Sequence, residues 1–288
     1  MLSHIIDVLA DPTDLTALHG EDDFARLVSE SGHSYDVARQ GYVTLASGKG
    51  LKFTGDDPEM IANRELFLGK GHFGPFVEKV TEVVGTALDD SEDPHVEAPV
   101  IVEVGAGTGF YLSHTLDSIV GARGVGLDVS VPAAKHLAKC HPRVGAVVAD
   151  AWAKLPLRNH SVDVITVIFA PRNVEEFARV LKPGGQVVVL TADPGHLAEL
   201  RAPLGIIDVE KGKVERLIEQ SDGFLKPVGE PEHIEFEMNL DQESIAAQIG
   251  MSPSARHIKP EDLRERIANL PAAMTVTARA TITRLALA

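Results

Sequence analysis

The run Val100-Ile101-Val102-Glu103-Val104-Gly105-Ala106-Gly107-Thr108-Gly109-Phe110 constrains this chain more than any other stretch. A β-branched apolar segment leads into an acid, then into three glycines at alternate positions. A continuous apolar run of this length reads as a strand buried on both faces, and the glycines turn it into a helix. Glycine at 105 and 107 permits backbone angles closed to other residues and lets a ligand touch the main chain. The helix N-terminus beyond the turn offers free N–H groups. Together these form a cradle for a nucleotide-type cofactor. A dinucleotide fingerprint needs Gly-x-Gly-x-x-Gly. Counted from Gly105 its last position is Phe110, and counted from Gly107 it is Leu112, so a pyrophosphate binder fits neither frame.

The following segments repeat the alternation. Gly124 to Asp128 is a second apolar strand ending in an acid, placed where ribose hydroxyls can donate to it. Ser130 with Val131-Pro132 reads as a helix N-cap with proline in the first turn. Val144 to Val148 is a third strand, ending in Ala149-Asp150, and Ser161 to Phe169 a fourth. A helix over Glu175 to Leu181 is stopped by Lys182-Pro183-Gly184-Gly185, which turns into the strand Gln186 to Leu190. Strands alternating with helices imply a parallel sheet covered on both faces. Later, His233 to Met238 and Thr275 to Thr283 alternate with period two, and helices are expected near 241–249 and 260–269.

Composition narrows the class. A chain of 288 residues can bury a large core, one domain with an appendage being the natural expectation. No apolar run approaches the roughly 20 residues that cross a bilayer. The N-terminus lacks the pattern of a signal peptide, and the single cysteine, Cys140, fits a cytoplasmic protein without intrachain disulfides. Net charge is −15, whereas nucleic-acid binders usually carry a basic footprint. That charge is an average. Acids gather in Asp89-Asp90-Ser91-Glu92-Asp93, read as a solvated linker, while Arg and Lys recur from Arg172 to Lys213 and at Arg256, Lys259, Arg264 and Arg266.

Glu103-x-Gly105-x-Gly107-x-Gly109, with Asp128, Asp150 and Leu181-Lys182-Pro183-Gly184-Gly185, resembles the core of class I S-adenosylmethionine-dependent methyltransferases. The resemblance implies an α/β fold, a Rossmann-like seven-stranded sheet whose last strand is antiparallel, with S-adenosyl-L-methionine as cofactor. It implies that Glu103 and the turn Gly105, Gly107, Thr108, Gly109 and Phe110 hold the methionine end. Asp128 would hold the ribose, and Asp150 with Ala151 would meet the adenine edge. Phe73 and His196 would face the cofactor or close over it.

A second resemblance is more specific. The segment Gly32-His33-Ser34-Tyr35-Asp36-Val37-Ala38-Arg39-Gln40-Gly41-Tyr42-Val43 is followed by Gly55 to Met60, Ala62 to Leu68 and Gly71-His72-Phe73-Gly74-Pro75. After the core come Pro194-Gly195-His196-Leu197-Ala198-Glu199-Leu200 and Met251-Ser252-Pro253. Over roughly residues 8 to 257 these are similar to the bacterial 23S rRNA guanine-N1-methyltransferases, a family that includes enzymes of tylosin- and mycinamicin-type macrolide resistance. Its members open with a zinc site, Cys-Pro-x-Cys then Cys-x-x-x-His. Here Asp11-Pro12-Thr13-Asp14, Ser29 and His33 stand at those positions, and only the histidine remains. A structural zinc site usually takes four thiolates or imidazoles, so no metal is expected. The finger region would then hold itself together by packing, through Leu9, Leu15, Leu18, Phe24 and Leu27. The expected division is a degenerate finger over 1–45, a helical pre-core segment over 46–95 and a methyltransferase core over 96–288.

The acceptor pocket is expected after the fourth strand, at Phe169-Ala170-Pro171-Arg172. A flipped guanine needs stacking and hydrogen bonds on its Watson–Crick edge, which Phe169 and Arg172 can supply. Glu175 or His196 could take the N1 proton, although Glu175 also reads as a first-turn helix acid. Two acceptors stay open: rRNA guanine, or a small hydroxylated metabolite (sugar or macrolide type) on the same scaffold. A protein that binds the cofactor without activity is argued against by the intact Glu103, Asp128 and Asp150. A basic stripe beside the pocket favours rRNA, and a closed neutral pocket favours the metabolite. No membrane partner is expected, and a homodimer is left open.

Overall fold

The computed structural model describes residues 1–47, 50–91, 98–206, 209–252 and 258–288. The chain opens with a 3-10 turn at Leu2–His4 and an antiparallel meander of β1 (Leu18–Glu21), β2 (Arg26–Ser29) and β3 (Ser34–Asp36). Then come β4 (Tyr42–Thr44), α1 (Pro58–Gly69) and α2 (Gly74–Asp89). The alternating core runs β5 (Val100–Val104), α3 (Phe110–Ser118), β6 (Arg123–Asp128), α4 (Val131–Cys140), β7 (Val144–Val148), β8 (Val162–Ile168), α5 (Val174–Val180) and β9 (Leu181–Ala192). The last third holds α6 (Arg201–Leu204), α7 (Lys213–Ser221), β10 (Leu225–Pro227), β11 (Glu232–Asp241), α8 (Gln242–Gly250), α9 (Pro260–Ala268) and β12 (Ala273–Leu287).

The main sheet is ordered β10-β12-β9-β8-β5-β6-β7-β4, with β11 also paired to β12. Strands β4 to β9 run parallel, and β12 is antiparallel to β9, β10 and β11. Every residue of β5, β7 and β8 is buried, as strands covered by helices on both faces must be. The seven anticipated strands are all present, and β4 and β10 extend the sheet to nine. Each added strand has three residues, too few to show a period. The Lys182-Pro183-Gly184-Gly185 stop also differs. Strand β9 begins at Leu181, and its pairing with β8 shifts register between Val162 and Val164, so the expected turn is an irregularity inside the strand. Ser130 caps α4 as expected, its Oγ accepting from the Ala133 amide at 3.1 Å.

The N-terminal region is not a separate appendage. Leu2, Ile5, Val8 and Leu9 bury against Val147, Leu155 and Leu157, and β4 is a strand of the main sheet. Ala10 N–H donates to Pro156 O at 3.0 Å and Arg158 N–H to Val8 O at 2.9 Å. The division at residue 45 is therefore not a packing boundary. The division at 95 lies outside the described residues, as do Glu92, Asp93, Pro253 and Arg256. Of the expected finger contacts, Leu9, Leu18 and Leu27 are buried, whereas Leu15 and Phe24 are half-buried.

A polar knot stands where the family has its zinc ligands. Asp11 is fully buried, and its Oδ1 accepts from the Thr13 amide at 2.7 Å and the Tyr35 hydroxyl at 2.9 Å. His33 Nδ1 lies 2.8 Å from Asp11 Oδ2. Burial works to raise the Asp11 pKa, but the hydrogen bonds outweigh it and the pKa falls, so the carboxylate is ionised and His33 is the donor. Ser29 Oγ accepts from the His33 amide at 2.9 Å, and Asp14 accepts from the Thr16 amide and hydroxyl. Side-chain atoms of Asp11, Asp14 and His33 lie within 4.8 Å of one another. Hydrogen bonds thus do the cross-linking that thiolates and a metal would do. Asp11→Ala takes the acceptor from the Thr13 amide, the Tyr35 hydroxyl and His33 Nδ1 and is expected to cost about 1–3 kcal/mol in urea denaturation. Exhaustive chelation of the wild-type protein is expected to leave the same midpoint unchanged, and a drop on chelation would show a structural metal instead.

Candidate active site

The carboxyl ends of β5 to β8 open onto a cavity of about 430 Å³, the position where open α/β sheets bind ligands. Glu103 is the penultimate residue of β5 and is 2% exposed. Its Oε2 has no partner among the described residues, and burial raises its pKa to about 8. The turn beyond it is left-handed at Gly105, Gly107 and Gly109. A Cβ on Gly105 would come 2.5 Å from the Ala170 Cβ, so only glycine lets the β5 and β8 turns meet. Gly107 N–H donates to Asp128 Oδ2 at 2.7 Å, and Asp128 Oδ1 accepts from the Ser130 amide at 2.8 Å. Burial raises the Asp128 pKa, and these two bonds partly offset the shift.

Thr108, Phe110, Asp150 and Ala151 line the same cavity, as the sequence predicts. Asp150 Oδ1 accepts from the Trp152 amide at 2.9 Å. Asn173 pins this loop by donating to the Ala151 and Ala153 carbonyls at 3.0 and 3.1 Å. Gly109 departs from expectation. It does not line the cavity, and a Cβ there would come 2.6 Å from Cys140 Sγ and 2.7 Å from Leu137 Cδ1. Its role is close packing of α3 against α4.

The sequence reading missed Arg64 and Tyr111. Arg64, on α1, donates from Nη2 to Asp56 Oδ2 at 2.6 Å and to Met251 O at 3.3 Å. Its Nε is buried with no partner among the described residues, and the Tyr111 hydroxyl is in the same condition. Both residues line the cavity beside Glu103. A buried carboxylate, phenol and guanidinium with unsatisfied atoms at one end of a cavity fit a zwitterion, and buried polar atoms otherwise find partners. Arg64 had a signal, since it sits in the Ala62 to Leu68 motif, but nothing local says that α1 folds over the glycine turn. The pre-core segment is anchored there by Ser130 Oγ, which donates to Asp56 O at 2.6 Å.

A second cavity of about 550 Å³ adjoins the first, and Arg64, Phe73, Phe169, Ala170 and Met251 line both. Phe73 is buried between them. Phe169 follows β8 with a left-handed φ of 52°, a strain that clusters at functional sites. Its ring centroid lies 5.9 Å from Phe76, 6.0 Å from His196 and 6.4 Å from Phe73. Arg172 lines the second cavity and donates to Thr191 Oγ1 at 2.7 Å, while burial and then the Arg216 charge lower its pKa.

Two expectations need correction. His196 lines the second cavity and not the first. The return from β9 carries it past the carboxyl ends of β5 and β6. Glu175 is exposed in the first turn of α5 and lines neither cavity, because the helix faces it to solvent.

A family model described as a methyltransferase domain matches residues 102–189. One chain of the solved complex between the Haloferax volcanii Trm112 methyltransferase activator and a provisionally assigned methyltransferase superposes with a TM-score of 0.50 at 20% identity. That match covers 82% of this chain and 99% of the other. The strand order, the glycine turn and its acids define a class I S-adenosylmethionine-dependent methyltransferase, and the orphaned atoms of Glu103, Tyr111 and Arg64 fit the amino-acid end of that cofactor. A 23S rRNA (guanine(748)-N(1))-methyltransferase of Streptomyces fradiae is 37% identical over 284 residues, 98% of each chain. A Micromonospora griseorubida protein, provisionally named a 23S rRNA (guanine-N(1)-)-methyltransferase, is 40% identical over 261 residues, 88% of each chain. The chain belongs to this 23S rRNA (guanine-N1)-methyltransferase family.

Because burial keeps Glu103 protonated up to about pH 8, an ammonium bound beside it must displace that proton. Calorimetry of S-adenosylhomocysteine binding at pH 7, in buffers of different ionisation enthalpy, is expected to show net proton release. Affinity rises as pH rises toward 8, and Glu103→Gln removes the release. A buffer-independent enthalpy would contradict this placement. Arg64→Met is expected to weaken the same binding by about 1.5–3 kcal/mol, the scale of a hydrogen bond to a charged group.

Proposed function

We propose that the chain transfers the methyl group of S-adenosylmethionine to N1 of a guanine in 23S rRNA. The charge of the second cavity carries this reading. Among the described residues, Arg64, Arg172, Lys213 and Arg216 line it against a single acid, Glu210, on a chain whose net charge is −15. Arg64 is paired to Asp56 and Arg216 to Glu210, which leaves Arg172 and Lys213 as the cations an RNA backbone would meet there. A small hydroxylated metabolite calls for a closed, neutral pocket, and this one is open and basic. The names of the relatives point to the same acceptor.

The cofactor, when bound, supplies an activated sulfonium methyl. Glu103, Tyr111 and Arg64 would hold its amino-acid end, Asp128 its ribose, and Asp150 with Ala151 its adenine edge. Phe73, buried, lines both cavities where cofactor and acceptor would meet. Phe169 offers the flipped base an aromatic face, and Arg172 supplies charge beside it. Glu175 is too far out to serve as base. Glu210 is the one carboxylate lining the acceptor cavity among the described residues, and it is paired to Arg216 at 2.7 Å. The residues present therefore act by aligning the acceptor rather than by abstracting a proton.

Tritiated methyl transfer from S-adenosylmethionine into 23S rRNA, and separately into a small-molecule extract, tests the reading. Transfer into the extract alone would overturn it. Arg172→Ala and Lys213→Ala are expected to weaken RNA binding and each to lower the salt slope by about 1, with S-adenosylhomocysteine affinity unchanged.

A further inference from the structure

We infer that His196 presents a fixed N–H donor to the acceptor cavity, reading the carbonyl oxygen beside the methylated ring nitrogen and so selecting guanine over a base with an amino group there. The inference rests on the guanine reading above. His196 Nδ1 accepts a hydrogen bond from the backbone N–H of Arg279 at 3.1 Å. Arg279 lies within β12, paired to Glu235 of β11, and its neighbour Ala280 pairs to Ala192 of β9. That N–H cannot turn away. A neutral imidazole has one donor and one acceptor nitrogen, so the proton sits on Nε2.

The ring is held on every side. It stacks on Phe76 with centroids 6.2 Å apart and planes 27° apart, and Phe73 and Phe169 each lie 6.0 Å away. The His196 amide donates to Asp193 O at 3.0 Å and the Leu197 amide to Thr277 O at 2.9 Å, so the main chain is pinned on both sides of the residue. Burial keeps the ring neutral, lowering its pKa to about 4. The Arg201 and Lys213 charges push the same way, and Asp193 opposes. Nε2 has no protein partner among the described residues, and the ring lines the second cavity.

The Watson–Crick edge of guanine carries O6 as acceptor beside N1, where adenine carries an amino donor. A donor that cannot become an acceptor pairs with the first and clashes with the second, the strong form of polar discrimination. It also excludes His196 as the base. When N1 releases its proton to water, the negative charge is shared with O6, and the Nε2 hydrogen bond to O6 stabilises it. N1 then forms its bond to the methyl carbon as the sulfur–methyl bond breaks, cancelling the sulfonium charge.

Two measurements test this. In two-bond ¹H–¹⁵N spectra, with His196→Gln identifying the signal, His196 is expected to show an unprotonated Nδ1 and a protonated Nε2 at pH 7. A proton on Nδ1, or a cationic ring, would overturn the inference. Separately, RNA fragments carrying guanosine, inosine or 2-aminopurine at the target position are bound to the protein loaded with S-adenosylhomocysteine. Wild type is expected to prefer the two carbonyl bases by about tenfold, the scale of one hydrogen bond to a site left unpaired otherwise. His196→Ala should lose the preference and His196→Gln should keep most of it, with S-adenosylhomocysteine affinity equal in all three. A preference that survives in His196→Ala sinks the inference but leaves the guanine reading standing if wild type methylates guanine RNA. Failure of wild type to methylate any guanine RNA removes that reading and this inference with it.

Discussion

A carboxylate that cannot be solvated organises this site. Glu103 sits at the end of the strand between β6 and β8, 2% exposed, with one oxygen unpaired. Taking an ionised carboxylate out of water is costly unless a partner replaces the water. The Arg64 charge beside it is paired to Asp56 and only partly offsets the burial that raises the Glu103 pKa. Tyr111 and Arg64, also with unsatisfied atoms, stand beside it. A zwitterionic ligand would bring the ammonium that such a carboxylate pairs with.

The second cavity obeys the opposite electrostatics. The chain carries a net charge of −15, yet among the described residues lining this largely apolar opening the cations Arg64, Arg172, Lys213 and Arg216 outnumber the one acid, Glu210. The two cavities meet at Phe73 and Phe169. These rings form an uncharged wall at the junction, and Arg64, which also lines both chambers, is paired there to Asp56. The strained φ of Phe169 is the local cost of putting a ring at that junction.

The N-terminal region makes a related point about substitution. Where the family places cysteines for zinc, this chain has Asp11, Asp14 and Ser29, and they hydrogen-bond within a meander that also packs on the core. Removal of a metal usually unfolds so small a unit. Here the unit survives on buried Leu9, Leu18 and Leu27 and on β4, which joins the main sheet. The acidic replacements accept hydrogen bonds within the meander.

Much of this was legible along the chain. The run from Val100 to Phe110 determines a buried strand, a left-handed glycine turn and a helix, because β-branching, glycine and capping act over a few residues. The same holds for Asp128 and Asp150, whose bonds reach no more than about a turn or an adjacent strand, and for the Ser130 cap of α4, although its hydroxyl also reaches Asp56 across 74 residues. Gly109 was legible as a glycine but not as a packing glycine, since Cys140 and Leu137 press on it from another helix. Arg64 meets Met251 across 187 residues, and His196 meets Arg279 across 83. Contacts of that separation leave no periodic trace, because they arise only when α1 and β12 are laid over the sheet. The sequence by itself determined the sheet, the cradle and its acids, through short-range backbone preference and apolar patterning. Tertiary structure alone decided which cavity each of Arg64, Phe73, Phe169 and His196 serves and that Glu175 serves neither, because burial and pairing are properties of the packed chain.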